Sequence, residues 1–171
     1  IQVYLVNFKD KGSPDFMTNL ERLKKIQEPE LITDKGKFPA FTEDDVVIDA
    51  IFGSGLTRPV EGIFAQIISE INEKAKHIVS IDIASGLFAD TPSQKGAIVT
   101  PSLTITFQTP KLAFLIPENE KYVGVWVAVN IGLNREFIDN TASSNYMLTS
   151  RMVKKMIRER RKVAHKGDFG K

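Results

Sequence analysis

Cysteine is absent from these 171 residues, histidine is limited to two and tryptophan to one. Without thiols there are no disulfides, no thiolate metal sites and no cysteine nucleophile, a composition that suits a reducing compartment. His77 and His165 are too isolated to form a metal pair, and neither has an obvious serine partner for a triad. No apolar run approaches the ~20 residues of a membrane span, and no signal-peptide pattern opens the chain. Internal repeats and low-complexity tracts are also missing. A soluble, cytoplasmic protein without membrane attachment is therefore expected. With 42% hydrophobic residues, the chain has material for one ordinary core.

The near-neutral balance of charge hides two different regions. From Arg151 onward nine Lys or Arg face only Glu159 and Asp168, whereas the preceding residues hold 14 bases and 19 acids. A mildly acidic body is thus followed by a basic tail. The tail lacks interleaved aromatics, so it reads as a solvated helical linker and not as a nucleic-acid surface.

Ile1 to Phe8 reads as a strand. Ser13-Pro14-Asp15 then supplies a cap, a proline and an early acid for a helix whose apolar face is Phe16, Leu20, Leu23 and Ile26. Residues 36–45 form a connector. Ile63, Phe64, Ile67, Ile68 and Ile71 recur at helical spacing and predict a buried stripe on a helix over 61–74. Strands are expected at 78–83, 103–107 and 123–131, the last apolar enough for a sheet covered on both faces. Residues 112–116 are expected to be a further short strand or extended segment. Residues 134–140 suit a helical turn, 141–145 a polar linker, and Thr149-Ser150 the cap of an exposed helix over 151–162.

The organising stretch is Val46 to Pro59. A short apolar run ends in Asp49, a Gly53-Ser54-Gly55 loop follows, and a helical pattern comes next. In open α/β sheets ligands lie beyond the carboxyl ends of strands, where glycine loops let backbone N–H groups approach an anion. The dinucleotide fingerprint G-x-G-x-x-G is not satisfied, because its third glycine position holds Arg58. The two glycines are equally compatible with a plain tight turn, but Arg58 beside a helix start favours anion capture. A second strand carries Asp82, then Ser85 and Gly86. On parallel neighbouring strands, Asp49, Asp82 and Ser85 would converge on one rim. Two acids there repel unless a cation or proton is shared, and their oxygens suit a hard cation better than zinc. His77 reads as an ordinary strand-edge residue and Lys111 as a solvated loop lysine.

Val47 to Pro59, Ser80 to Leu87, and Thr104 to Lys111 with its Thr-x-x-Phe-x-x-Pro-Lys pattern together resemble the YjeF N-terminal domain family, the NAD(P)HX epimerases. The resemblance covers residues 1–133 and rests on three separated motifs in one order. It implies a three-layer Rossmann-like α/β sandwich with a mostly parallel sheet. It implies epimerisation at carbon-6 of hydrated NADH or NADPH, as metabolite repair alongside a dehydratase. Asp49 and Ser85 match potassium ligands, Gly53, Ser54, Gly55, Leu56, Thr57, Arg58 and Pro59 match the loop holding the hydrated dinucleotide, and Asp82 matches a substrate-binding acid that would also shuttle a proton.

Residues 165–171 are similar to the opening of the ADP- or ATP-dependent dehydratase domain. Residues 1–140 are then the epimerase part, 141–164 a basic linker, and the dehydratase a partner within a bifunctional parent chain. A homo-oligomer is expected. Two departures stand out: Ala84 replaces the usual proline, and the family's Gly-Asn-Asn-Gly-Gly-Asp-Gly loop, which belongs just upstream of Ile1, is absent with the first strand and helix of the fold. On that expectation the stretch alone is inactive and its sheet requires another segment to cover it. The competing reading is a non-catalytic nucleotide-binding or scaffold module of the same fold, the use some eukaryotic relatives make of it in RNA decapping.

Overall fold

A computed structural model describes residues 1–7, 12–33, 38–92, 95–157, 162–163, 165 and 167. The chain divides into two compact units, Ile1–Leu133 and Asn134–Lys171.

In the first unit, strand β1 (Tyr4–Val6) is followed by helix α1 (Pro14–Lys24) and strand β2 (Glu30–Ile32). Ser13 caps α1 as its sequence requires, its hydroxyl accepting from the Phe16 N–H. Only Leu20 of this helix is buried, and Ile26, expected on the apolar face, lies beyond its end and is exposed. Next come β3 (Val46–Asp49), helix α2 (Gly62–Lys74) and β4 (His77–Ile81). An irregular crossing then leads to β5 (Leu103–Phe107) and β6 (Val125–Val129). Strands β3-β4-β5-β6 form one parallel sheet in that order, while β1 and β2 form a separate parallel pair.

Helix α2 buries Ile63, Ile67, Ile68 and Ile71, the stripe that the sequence periodicity marks. They join one core with Ile78, Ile83, Leu87 and Val99. Each such side chain contributes up to roughly 1.5–3 kcal/mol. The same helix fixes the irregular crossing: Asn72 donates to the Ile98 carbonyl and accepts from the Thr100 N–H, both at 2.8 Å. Within the crossing Gly86 has φ of 100°, and a Cβ there would lie 2.2 Å from the Ala97 carbonyl oxygen. Only glycine fits, so the Ser85-Gly86 order is imposed by the backbone.

Two expectations need correction, and one strand was not expected at all. Residues 112–116 are not extended: Leu112–Leu115 and Pro117–Tyr122 are 3-10 helices, the second begun by its proline. The β6 strand is not covered on both faces, since Val125 and Val127 are exposed at 68% and 50%, as are Val46 and Ile48 on β3. These residues share one face by the parallel register, while the opposite face carries the buried Asp49, Ser80, Thr104 and Thr106. Strand β2 had no counterpart in the reading of the sequence, because three residues are too few to show a period.

The second unit contains α3 (Arg135–Asn140), capped by Asn134, and α4 (Ser150–Met156), capped by Thr149. Neither helix has a buried residue. The expected helix over 151–162 is observed to Met156. Residues 158–161 lie outside the described set, as do most of 164–171. No helix among the described residues is long and apolar enough to cross a membrane.

Candidate functional site

Asp49 ends β3 beside Ser80 of β4, its register partner. It is not on an open rim, as its position in the sequence suggests, but 1% exposed. A carboxylate so placed needs donors for every lone pair. Oδ2 accepts from the Ser80 hydroxyl and the Ser85 N–H, both at 2.8 Å. Oδ1 accepts from the Ser85 hydroxyl at 2.5 Å and the Ile51 N–H at 3.3 Å. Ser85, itself fully buried, accepts from the Phe52 N–H at 2.9 Å, and the Phe52 carbonyl oxygen is 3.4 Å from its hydroxyl. The acid at the end of one strand is thereby tied to the loop after the next.

Asp82 follows β4 in a different setting. Its φ of 70° is in the left-handed region, unusual for a side chain with a Cβ. Its backbone N–H still reaches the Ile105 carbonyl at 2.8 Å, continuing the pairing with β5. Its Oδ1 accepts from Lys111 Nζ at 2.7 Å, the Phe107 N–H at 3.2 Å and the Thr106 hydroxyl at 3.4 Å. Its Oδ2 faces the glycine loop, 3.9 Å from where a Cβ on Gly53 would sit. Burial pushes the Asp82 carboxyl upward, but Lys111, the Phe107 N–H and Thr106 outweigh it and hold the group below the usual carboxylate range.

Lys111 is not the solvated loop lysine its sequence context suggests. Its side chain is 17% exposed and pairs with Asp82 across 29 residues of sequence. The sequence also gave little reason to single out Ser80 or Thr106. One signal is present in β5, where Thr104 and Thr106 alternate with apolar residues and Thr104 pairs in register with Ser80, on the face that carries Asp49.

The loop Gly53, Ser54, Gly55, Leu56, Thr57, Arg58 and Pro59 leaves β3 at its carboxyl end. Leu56 is partly buried against the core, and the other six are exposed. Among the described residues none hydrogen-bonds the side chains of Ser54, Thr57 or Arg58. A loop anchored at Leu56 with free polar groups and an exposed guanidinium is suited to a polyanionic ligand. The structure thus brings Asp49, Ser80 and Ser85 into one buried cluster and Asp82, Thr106 and Lys111 into a second. The glycine loop lies beside Asp82.

The family model for the YjeF-related protein N-terminus matches residues 1–113. The chain belongs to this family. Among relatives, the bifunctional NAD(P)H-hydrate repair enzyme Nnr of Thermofilum pendens is 31% identical over 175 residues, covering all of this chain and 33% of that protein. The NAD(P)H-hydrate epimerase of Anaerococcus prevotii is 34% identical over 143 residues, covering 81% of this chain and 65% of that protein. This family member thus spans about a third to two thirds of the length of these relatives. The crystal structure of the yeast protein YNL200c superposes with a TM-score of 0.54 at 18% identity, over 81% of this chain and 60% of that one. It shows the same mostly parallel α/β fold.

Proposed function

We propose that this chain forms the ligand-binding part of an NAD(P)H-hydrate epimerase, which interconverts the R and S forms of hydrated NADH or NADPH. The observation that carries the reading is Asp82, a carboxylate kept ionised and turned toward an exposed glycine loop at the carboxyl end of a parallel sheet. Relatives named for that activity support it. Arg58 and the loop would take the pyrophosphate, and Asp82 would accept a hydroxyl hydrogen of the ligand. Its lowered pKa makes Asp82 a weak base, so its stronger role is as an ionised acceptor and its proton-shuttle role the weaker one. The dehydratase that uses one epimer would be the partner activity, carried in bifunctional relatives by the same polypeptide.

Potassium is proposed at Asp49 and Ser85. The donors fit a hard monovalent ion in kind: two carboxylate oxygens, a hydroxyl and the Phe52 carbonyl lie within a few ångströms of one another. An ion there would supply fixed positive charge beside the ligand. Because Asp49 already has four donors, the Ser85 hydroxyl proton would turn away to admit it.

The test uses the natural polypeptide that carries this sequence. Separated epimers of hydrated NADPH are supplied with an S-specific dehydratase, and NADPH absorbance is followed. Recovery of NADPH from the R form is expected. Absence of interconversion, together with no binding of NADP by calorimetry, overturns the reading.

A further inference from the structure

Both oxygens of Asp82 belong to one carboxylate, yet the protein treats them differently. Three donors converge on Oδ1, while among the described residues none reaches Oδ2, which faces Gly53. Lys111 is equally committed. An ammonium has three hydrogens, and Nζ lies 2.7 Å from Asp82 Oδ1, 3.1 Å from the Thr106 hydroxyl and 3.5 Å from the Phe107 carbonyl. It has no hydrogen left for a ligand. The left-handed backbone at Asp82 adds a second constraint, since a strained residue persists only where its surroundings hold it.

We infer that Lys111 is a positioning residue: by clamping Asp82 Oδ1 it leaves Oδ2 as the single acceptor presented to a ligand hydroxyl above the glycine loop. This rests on the nucleotide-binding reading given above and deepens it. The charged groups on the elements around Asp82 are Asp49 at the end of β3, Arg58 on the loop after it, and Lys111 after β5. Asp49 is saturated by its own partners, and Arg58 is exposed. Lys111 is the charge in contact with the acid.

Two ligand hydroxyls share the required chemistry: those of the ribose, present in NADP, and the one on carbon-6, present only in the hydrated cofactor. Lys111→Met, Lys111→Arg, Asp82→Asn and the Lys111→Met/Asp82→Asn double variant are compared in NADP binding and in KM and kcat for the hydrated cofactor. Lys111→Met is expected to weaken one of them about tenfold, the scale of a charge-assisted hydrogen bond. A loss shared by NADP assigns the ribose, and a loss confined to the hydrated cofactor assigns carbon-6. In the Asp82→Asn background Lys111→Met should add less than about twofold, because its effect passes through the acid. Lys111→Arg should recover part of the loss. If Lys111→Met does not fold, Lys111→Gln replaces it. Parental binding and kinetics in the lysine variants, or losses that multiply in the double variant, overturn the inference while the proposed function stands. A parent that neither binds NADP nor interconverts epimers fails the proposed function instead. A carbon-13 titration of the Asp82 carboxyl, which needs no ligand, then still reads the clamp: removal of Lys111 should raise its pKa.

Discussion

Asp49 and Asp82 come from the same local pattern, a short apolar strand ending in an acid before a loop that contains glycine, and the fold gives them different surroundings. Asp49 is sealed and has every lone pair answered from within the protein. Asp82 is answered on one side only, and its other oxygen faces a loop with free polar groups. Burial and satisfaction make a carboxylate part of the frame. Half-satisfaction leaves one of its oxygens able to accept a further hydrogen bond.

The largest expected effect breaks the comparison on the sealed side. Asp49→Ala strands the Ser80 hydroxyl and the Ser85 and Ile51 N–H groups without their acceptor, and should cost about 3–5 kcal/mol in urea unfolding. A loss under about 1 kcal/mol would show that the cluster is not structural. The converse variant, Asp82→Asn, should lower epimerisation about a hundredfold while the thermal midpoint moves by a few degrees at most. Equal loss of stability in the two variants would erase the distinction. Ser80→Ala removes a single donor from Asp49 and should destabilise by about 1–2 kcal/mol, with ligand affinity unchanged when binding is measured on the folded protein.

A smaller effect concerns pH. The folded Asp82 carboxyl lies below its unfolded value, so its ion pair contributes stability that is present above the ordinary carboxylate pKa, about 3.9, and is lost as pH falls through the folded value. The urea midpoint of the parent should therefore fall relative to that of Asp82→Asn between roughly pH 5 and pH 3. A constant difference across that range would mean that Lys111 does not act on the acid's charge. Among the described residues, removal of 146–171 takes away one helix, and none of its residues is buried. The thermal midpoint should be nearly unchanged, and a large drop would show that α4 packs on the rest of the protein.

What the sequence displays is what local spacing can carry. The strand-acid-glycine order placed Asp49, Asp82 and Ser85 at strand ends, and the 3.6 period of five apolar residues located α2. It could not display how the two acids differ, because that depends on partners 24 to 36 residues away. Lys111 looks like any lysine after a proline until β5 pairs with β4 and carries Thr106 and the turn beyond it to Asp82. The left-handed backbone at Asp82 is equally invisible, since aspartate adopts that conformation more often than most residues but still in a small minority of its occurrences. Leu112 to Ile116 is open to misreading because five consecutive apolar residues serve a strand and a 3-10 turn equally well.

The 36 residues between Asp49 and the Ser85 N–H also set a clock. At roughly 5–20 residues per second of synthesis, two to seven seconds separate the birth of the acid from that of its last donors. Throughout that interval a nascent chain holds Asp49 in water, where an ionised carboxylate is at no disadvantage. The donors arrive on a crossing whose Gly86 admits no other residue. The Ser80 and Ser85 donors reach Asp49 only when β4 and the turn after it lie against β3, so the cluster registers the pairing of those two strands.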